Sequence, residues 1–150
     1  MSIRARLATT LLRAIQKILN KNVDVGDIQE RYNATKGRVL EIYIDDLDIR
    51  ANFKIENGKV ELIHCDNPNA TVQMPLDTML FLIKGSIDIK QQDGTVRMDS
   101  YTPFDAWRRG ELVIQTDNPN ECWLSDLTLF GREIYEQAFP IIKSKIGGLL

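Results

Sequence analysis

The stretch from Gly37 to Ile63, GRVLEIYIDDLDIRANFKIENGKVELI, decides the fold class. In its middle, apolar and polar residues alternate one by one, which is the spacing of a half-buried strand; the apolar set is Ile49, Ala51, Phe53 and Ile55. Asn57-Gly58 follows, a pair typical of a two-residue hairpin turn because both turn residues need a positive φ angle. The stretch therefore predicts three strands that fold back on one another, each with one face on a core.

Two more strands are predicted downstream, ATVQM at residues 70–74 and ELVIQT at residues 111–116. Alternation of this kind is typical of an antiparallel sheet with one face in water and helices on the other. We expect the polar set to face solvent: Arg50, Asn52, Lys54, Thr71 and Gln73. The predicted fold is α+β, with two layers, a five-stranded, mainly antiparallel sheet and helices packed on one face.

A short helix is predicted between the fourth and fifth strands, in PLDTMLFLIKG at residues 75–85. Proline suits the first turn of a helix and glycine suits the position after its end. Helical spacing predicts that Leu76, Met79, Leu80 and Ile83 pack on the sheet, while Phe81 and Leu82 flank that face. Residues 86–102 are ambiguous, although Asp93-Gly94 could turn a small hairpin there.

The N-terminal residues 1–22 form a predicted amphipathic helix, separate from a domain at residues 23–150. Its apolar face comprises Ile3, Leu7, Leu11, Ala14, Ile15 and Ile18. Its opposite stripe is basic: Arg6, Arg13 and Lys17. Three interpretations stay open: a helix docked on its own domain, an arm whose basic stripe contacts an anionic membrane, and a mitochondrial transit peptide.

Length and charge exclude some classes of protein. A chain of 150 residues with a net charge of −2 is predicted to form one globular domain. The first 23 residues carry five basic and no acidic residues, whereas the other 127 carry 14 basic and 21 acidic residues. A nucleic-acid binder usually has a basic body, so nucleic acid is not an expected partner. The absence of a secretory leader and of a long apolar run predicts a cytoplasmic protein, at most peripheral to a membrane.

The residues that could support catalysis or bind a metal are sparse. The single histidine, His64, precedes Cys65 and Asp66, and neighbours on a strand point to opposite faces. Cys65 and Cys122 match neither a disulfide framework nor a metal spacing. The glycines Gly85, Gly94 and Gly110 are isolated and form no phosphate-binding loop. We therefore expect no enzyme, no metal and no cofactor.

The helical segments carry more large apolar residues than short helices usually need. They can fill an ordinary core, or line an apolar cavity for a lipid, and sequence alone does not separate a core from a pocket. A filled-core scaffold that binds a protein partner or a second copy as a homodimer is the corresponding alternative function. The candidate lipid-binding residues are Met79, Phe81, Leu82, Ile83, Phe104, Trp107, Trp123, Leu124, Leu127 and Phe130.

Two segments of the chain resemble the sequence pattern of a known family. They are NATVQMPLDTMLFLIKG at residues 69–85 and TPFDAWRRGELVI at residues 102–114. In order and spacing, the chain resembles the sterol carrier protein domain over roughly residues 37–130. The stretch at 37–63 is especially similar to the sterol-carrier-like domains of bacterial ubiquinone-biosynthesis accessory factors. The chain departs from the family pattern in a longer link at 86–100, in Thr116-Asp117 where Gly-Asp is common, and in the end Gly-Leu-Leu, which argues against a peroxisomal address.

The resemblance implies that a hydrophobic ligand is held between sheet and helices, without cofactor or covalent chemistry. The predicted function is therefore non-enzymatic binding or transfer of a sterol-like, isoprenoid or fatty-acyl lipid. The basic stripe of the N-terminal helix would contact an anionic membrane transiently while the lipid is loaded.

Overall fold

The computed structural model describes residues 2–32, 37–117 and 140–146. Two helices come first, α1 (Ile3–Asn22) and α2 (Val25–Tyr32), followed by four strands. These are β1 (Val39–Ile44), β2 (Ile49–Glu56), β3 (Lys59–Ile63) and β4 (Ala70–Met74). Next are α3 (Leu76–Lys84), β5 (Ser86–Lys90), β6 (Val96–Ser100), α4 (Pro103–Arg108) and β7 (Val113–Thr116). Residues 140–146 are helical.

The main sheet has five strands in the order β3-β2-β1-β4-β7. Its β1–β2, β2–β3 and β4–β7 pairs are antiparallel, but β1 and β4 are parallel, with Leu40 opposite Ala70 and Ile44 opposite Met74. The predicted α+β class and the five strands are confirmed, whereas the prediction of a mainly antiparallel sheet is wrong, because the sheet is mixed. The reason is the connection at residues 64–69, which carries the chain from the edge strand β3 past β2 and β1.

The β2–β3 hairpin turns where the sequence predicts it. Asn57 and Gly58 have φ angles of 53° and 76°, the positive values that such a turn requires. Helix α2 lies against this turn: a Cβ atom added to Gly26 would meet the Cα atom of Gly58 at 2.9 Å. The close approach of the two backbones needs a residue without a side chain at Gly26.

Helix α1 covers the β3 edge and part of the core. The side-chain amide of Asn20 pairs with the backbone of Val60: Nδ2 donates to the carbonyl oxygen at 2.9 Å, and Oδ1 accepts from the N–H at 2.7 Å. These bonds satisfy edge-strand groups that would otherwise be open to other chains. The buried residues of α1 are Ala8, Leu11, Leu12 and Leu19.

The packed face of α1 differs from the predicted one at its N-terminal end. Ile3 is 86% exposed and Leu7 is also exposed, although both belong to the predicted apolar face. Ile3 and Leu7 lie off the buried face of the helix, which is formed by Ala8, Leu11, Leu12 and Leu19, whereas Arg4 in the first turn pairs with Asp77 of α3 at 3.1 Å. No helix within residues 2–32, 37–117 and 140–146 combines the length and apolar character needed to cross a bilayer.

The ambiguous segment after α3 forms a separate two-stranded sheet, in which β5 and β6 pair antiparallel. The turn contains Asp93, whose Oδ1 accepts hydrogen bonds from the backbone N–H and the hydroxyl of Thr95 at 2.9 and 2.6 Å. Gly94 has a φ angle of 86°, in the left-handed region that favours glycine. The hairpin that the sequence left open is therefore present.

The two faces of the main sheet differ less than the alternation predicts. The inner face, towards the helices, is buried as expected, with Phe53 and Val72 almost inaccessible. On the outer face, Arg50 is exposed, but Asn52 is only 7% exposed and Glu41 only 4%. The expectation that Asn52 faces solvent is wrong, because its side chain lies at the bottom of a cleft on this face, between Glu41 and Ile63.

Candidate functional site

Helix α3 contributes the buried side of the predicted lipid site. Met79, Leu82 and Ile83 lie in the hydrophobic core, while Phe81 and Leu80 are partly buried and pack against it. The sequence assigns Leu80 to the sheet-facing set and Leu82 to its flank, and the structure reverses these two positions. Leu80 and Leu82 are two residues, or about 200°, apart around the helix, so the buried face of α3 is turned substantially from the predicted one, towards Thr78 and Leu82.

Tyr101 joins α3 to the segment that leads into α4. Its ring contacts Phe81 edge-on with centroids 6.1 Å apart, and its backbone N–H donates to the carbonyl oxygen of Gly85 at 3.0 Å. The hydroxyl donates to Oε1 of Glu111 at 3.1 Å. Burial, followed by this hydrogen bond, raises the pKa of Tyr101 to about 12. The phenol of Tyr101 is therefore uncharged at neutral pH, and its contacts connect α3 with Glu111.

Helix α4 presents the aromatic side of the predicted site at the surface. Thr102 and Asp105 form a capping box: the Asp105 N–H donates to the Thr102 hydroxyl oxygen at 3.2 Å, and the Thr102 N–H donates to Asp105 Oδ2 at 2.9 Å. Phe104 and Trp107, 46% and 41% exposed, have ring centroids 6.0 Å apart. Ala106 faces the core, so the short helix holds the two rings outward.

The structure describes six of the ten predicted lipid-binding residues, on two helices that share one hydrophobic core. Met79, Phe81, Leu82 and Ile83 lie on α3, and Phe104 and Trp107 lie on α4. The other four, Trp123, Leu124, Leu127 and Phe130, lie outside the described residues. Lipid contact by this set, and the cavity between the layers, stay predictions.

The C-terminal helical residues 140–146 pack on the same layer. Ile142 and Ile146 are buried in the hydrophobic core. The side chain of Lys143 lies so close to Gly85 that an added Cβ atom would be 3.2 Å from it. Gly85 itself ends α3 in the left-handed conformation, with a φ angle of 77°.

The three predicted membrane-contact residues lie on the exposed side of α1. Arg6, Arg13 and Lys17 are all exposed, and the exposed apolar residues Ile3 and Leu7 lie on the same helix. Their contact with a membrane stays a prediction.

A second site, which the sequence interpretation missed, lies on the outer face of the main sheet. It is a cleft of about 810 Å³. All five strands contribute to its lining, and five of the lining residues, one from each strand, lie in one row across the sheet: Ile63, Asn52, Glu41, Thr71 and Gln115. Residues 64–69 and Thr116-Asp117 form its walls.

An ion pair lies at the middle of this row. Nη1 of Arg50 donates to Oε1 of Glu41 at 2.6 Å, and its guanidinium lies 3.6 Å from the ring centroid of Tyr43. The hydrogen bond to Glu41 raises the pKa of Arg50 above its ordinary value. The hydroxyl of Thr71 donates to the same Glu41 oxygen at 3.3 Å. The only signal of this arrangement in the sequence is a glutamate and an asparagine in neighbouring predicted strands.

The walls of the cleft are joined by Asn69. Its Oδ1 accepts from the N–H of Val39 at 2.7 Å, and its Nδ2 donates to Oδ2 of Asp117 at 2.8 Å. The bond from Asn69, together with the guanidinium of Arg38 at 3.2 Å, holds the pKa of Asp117 below its usual range.

The His64-Cys65-Asp66 sequence lies at the rim of the cleft. His64 and Asp66 are both highly exposed, with Nε2 and Oδ1 3.1 Å apart. Within the described ranges, no group of three or more histidine, cysteine, aspartate or glutamate residues is arranged to hold a metal ion.

Comparison with known proteins identifies the fold. The chain is similar to a solved structure described as "UbiJ-SCP2 Ubiquinone synthesis protein", with a TM-score of 0.57, 13% sequence identity, and coverage of 88% of this chain and 98% of that one. It is also similar to a conserved hypothetical protein of Thermus thermophilus, described as possibly a sterol carrier protein. That match has a TM-score of 0.45, 12% identity, and coverage of 90% of this chain and 85% of that one. No family model and no curated protein matches the sequence. The resemblance to the sterol carrier protein domain is thus confirmed for the fold.

Proposed function

We propose that this chain, which has the sterol carrier protein fold, binds the apolar part of a lipid on its helical layer without catalysing a reaction. The observation that carries the proposal is the aromatic pair on α4. Phe104 and Trp107 contact each other, yet both remain substantially exposed on a helix whose Ala106 packs in the hydrophobic core together with α3. A lipid that covers the two rings would gain about 25 cal/mol for each Å² of apolar surface removed from water.

The fold supports the same proposal and suggests which lipid to test first. The similar protein UbiJ-SCP2 is named for ubiquinone synthesis. Ubiquinone carries an isoprenoid tail, so an isoprenoid quinone comes first, followed by a sterol and a fatty acid. A carrier needs only apolar contacts for this task, and the helical layer supplies them.

The exposed side of α1 supports loading of the lipid at an anionic membrane surface. Arg6, Arg13 and Lys17 form a basic stripe, and Ile3 and Leu7 add exposed apolar side chains in the first two turns of the helix. A basic stripe next to exposed apolar residues is typical of helices that lie on membrane surfaces.

The proposal is tested by fluorescence titration of the unchanged protein and of a Trp123→Phe protein, in which Trp107 is the remaining tryptophan; the comparison also shows whether Trp123 contributes to binding. A short-tailed ubiquinone, a sterol analogue and a fatty acid serve as ligands. We expect saturable changes in Trp107 emission with at least one ligand, and about tenfold weaker binding in Phe104→Ala, because half-buried aromatic contact is lost.

The matched control is Val113→Ala, which removes an apolar side chain of similar exposure on the outer face of the sheet. It should bind as the parent does. Equal affinity of Phe104→Ala and the parent, or no emission change with any of the three ligands, would contradict the proposal.

A further inference from the structure

The floor of the outer-face cleft is built from paired strands. Glu41 lies directly opposite Asn52 on one side and Thr71 on the other, and Thr71 lies opposite Gln115. Side chains on such directly paired residues lie about 4.5–5.5 Å apart at Cβ. The polar groups of the floor are therefore held at short, fixed spacing, as a preorganised binding site requires.

Asn52 carries a buried polar atom without a partner. Its side-chain Oδ1 accepts no hydrogen bond among the described residues, and the residue is 93% buried, which follows from its 7% exposure. A buried acceptor that stays unpaired costs free energy, so such groups are rare in proteins. Because Asn52 lines the cleft, a molecule bound there can supply the missing donor.

Glu41 offers a second acceptor beside Asn52. Both hydrogen bonds to its side chain, from Arg50 and Thr71, end on Oε1. Within the described part of the chain, no hydrogen bond reaches Oε2. The floor thus presents two neighbouring acceptors to a ligand, whereas Arg50 and Gln115 can donate at its sides.

The charges around the cleft are nearly balanced. Glu41 is paired with Arg50 at 2.6 Å, Asp117 with Arg38 at 3.2 Å, and Asp66 lies 3.1 Å from His64. A strongly charged ligand would have to displace one of these partners. A neutral ligand whose groups both donate and accept hydrogen bonds suits the site better.

From these observations we infer that the cleft binds a neutral molecule with several hydroxyl groups, of the sugar or polyol class. Its hydroxyl groups donate to Asn52 Oδ1 and Glu41 Oε2 and accept from Arg50 or Gln115. The cleft volume of about 810 Å³ lies within the range of small-molecule sites. This site is on the opposite face of the sheet from the helical layer, so it does not depend on the proposed lipid binding.

The experiment is a titration of the isotope-labelled protein, followed by the NMR signals of the backbone and of the Asn52 side-chain amide. The probes are glucose, inositol and glycerol. We expect saturable shifts at Asn52, Glu41 and Thr71 with at least one probe. A second arm uses vesicles containing a neutral glycosyl diacylglycerol, which distinguishes a sugar on a lipid headgroup from a free sugar.

Two variants and one control complete the test. Asn52→Leu, similar in volume, should bind about tenfold more weakly because the acceptor is gone. Thr71→Val, which replaces the hydroxyl group with a methyl group, repeats the test should Asn52→Leu perturb the fold, and it should also weaken binding. Lys54→Gln, on the same face but outside the cleft, should bind as the parent does.

Three results would overturn the inference: no shift with any probe in either arm, shifts confined to residues outside the cleft, or unchanged affinity in both Asn52→Leu and Thr71→Val.

Discussion

Glu41 on β1 and Asn52 on β2 are directly paired, and both are buried on the face of the sheet that lies away from the helices. In a two-layer fold this face is normally in contact with water. The pair therefore marks a part of the outer face that is recessed from the surrounding water, and it gives the first prediction.

Replacing Glu41 with alanine should lower the free energy of unfolding by about 1–3 kcal/mol. The change removes a buried carboxylate that accepts charge-assisted and neutral hydrogen bonds, which leaves the Thr71 hydroxyl without that partner. Chemical denaturation measures the effect. Glu61→Ala, an exposed glutamate on the same face, should change stability by no more than about 0.5 kcal/mol; equal effects of the two changes would contradict a structural role for Glu41.

The pKa of Tyr101 predicts a loss of stability at high pH. The pKa is raised to about 12 in the folded protein from an ordinary 10, so the contribution of Tyr101 is complete below pH 10 and is lost as the pH rises towards 12. The free energy of unfolding should therefore fall over this range in the parent and less steeply in Tyr101→Phe. Parallel curves for the two proteins would show that Tyr101 titrates normally.

Loss of the α4 cap should weaken both stability and lipid binding. Thr102→Ala removes the hydroxyl that caps Asp105, at a cost of about 1 kcal/mol, and loosens the turn that presents Phe104 and Trp107. Ser2→Ala removes the corresponding cap of α1, where Oγ accepts from the Ala5 N–H at 3.1 Å. That control should leave ligand titration unchanged. If Thr102→Ala binds lipid with unaltered affinity, lipid binding does not depend on how α4 presents Phe104 and Trp107.

Gly26→Ala should destabilise the protein by about 1–3 kcal/mol through overpacking, since the new methyl group would meet the Gly58 backbone at 2.9 Å. Gly94→Ala is the comparison: nothing lies within 4 Å of its Cβ position, so its cost comes from the left-handed backbone alone, at about 1–2 kcal/mol. Thermal melts with and without added lipid measure both. If Gly26→Ala does not change the stability of the protein, α2 does not pack against the turn of the β2–β3 hairpin.

Charge reversal on α1 tests the membrane contact. Arg6, Arg13 and Lys17 changed together to glutamate should reduce binding to anionic vesicles, because each charge near such a surface contributes about 1 kcal/mol. Added salt should reduce binding of the parent as well. The control reverses three exposed charges elsewhere, Lys59, Lys90 and Arg97, and so keeps the net charge equal. If both triple variants bind the vesicles equally well, the net charge of the protein determines binding and the position of the basic stripe on α1 does not.

The strands and the hairpin turn were predictable because their signals are local. The alternation in IRANFKI involves only a few neighbouring residues, and it predicts β2. The Asn57-Gly58 pair is equally local, and it predicts the turn between β2 and β3. The parallel pairing of β1 and β4 was not predictable, since no local pattern states which strand a distant segment joins.

The outer cleft escaped prediction for a related reason. Alternation places Asn52 and Glu41 on the polar face of the sheet but does not reveal what covers that face. Likewise, the predicted apolar face of α1 includes Ile3 and Leu7, yet only the packed structure shows that the buried face runs through Ala8, Leu12 and Leu19 and leaves those two side chains exposed. On α3, helical spacing correctly predicted the burial of Leu76, Met79 and Ile83, but it did not predict that Leu82 would be more deeply buried than Leu80.

The position of β1 between β2 and β4 has a consequence for the order in which the nascent chain folds. β1 can pair with β2 as soon as the turn between them has been made, but its other neighbour is synthesised only after β3 and residues 64–69. Contacts between distant segments form later, because a longer loop must be closed first. Until β4 arrives, one edge of β1 offers unpaired N–H and C=O groups to any other extended chain. The speed with which β4 docks should therefore set how long a newly made molecule stays prone to aggregation.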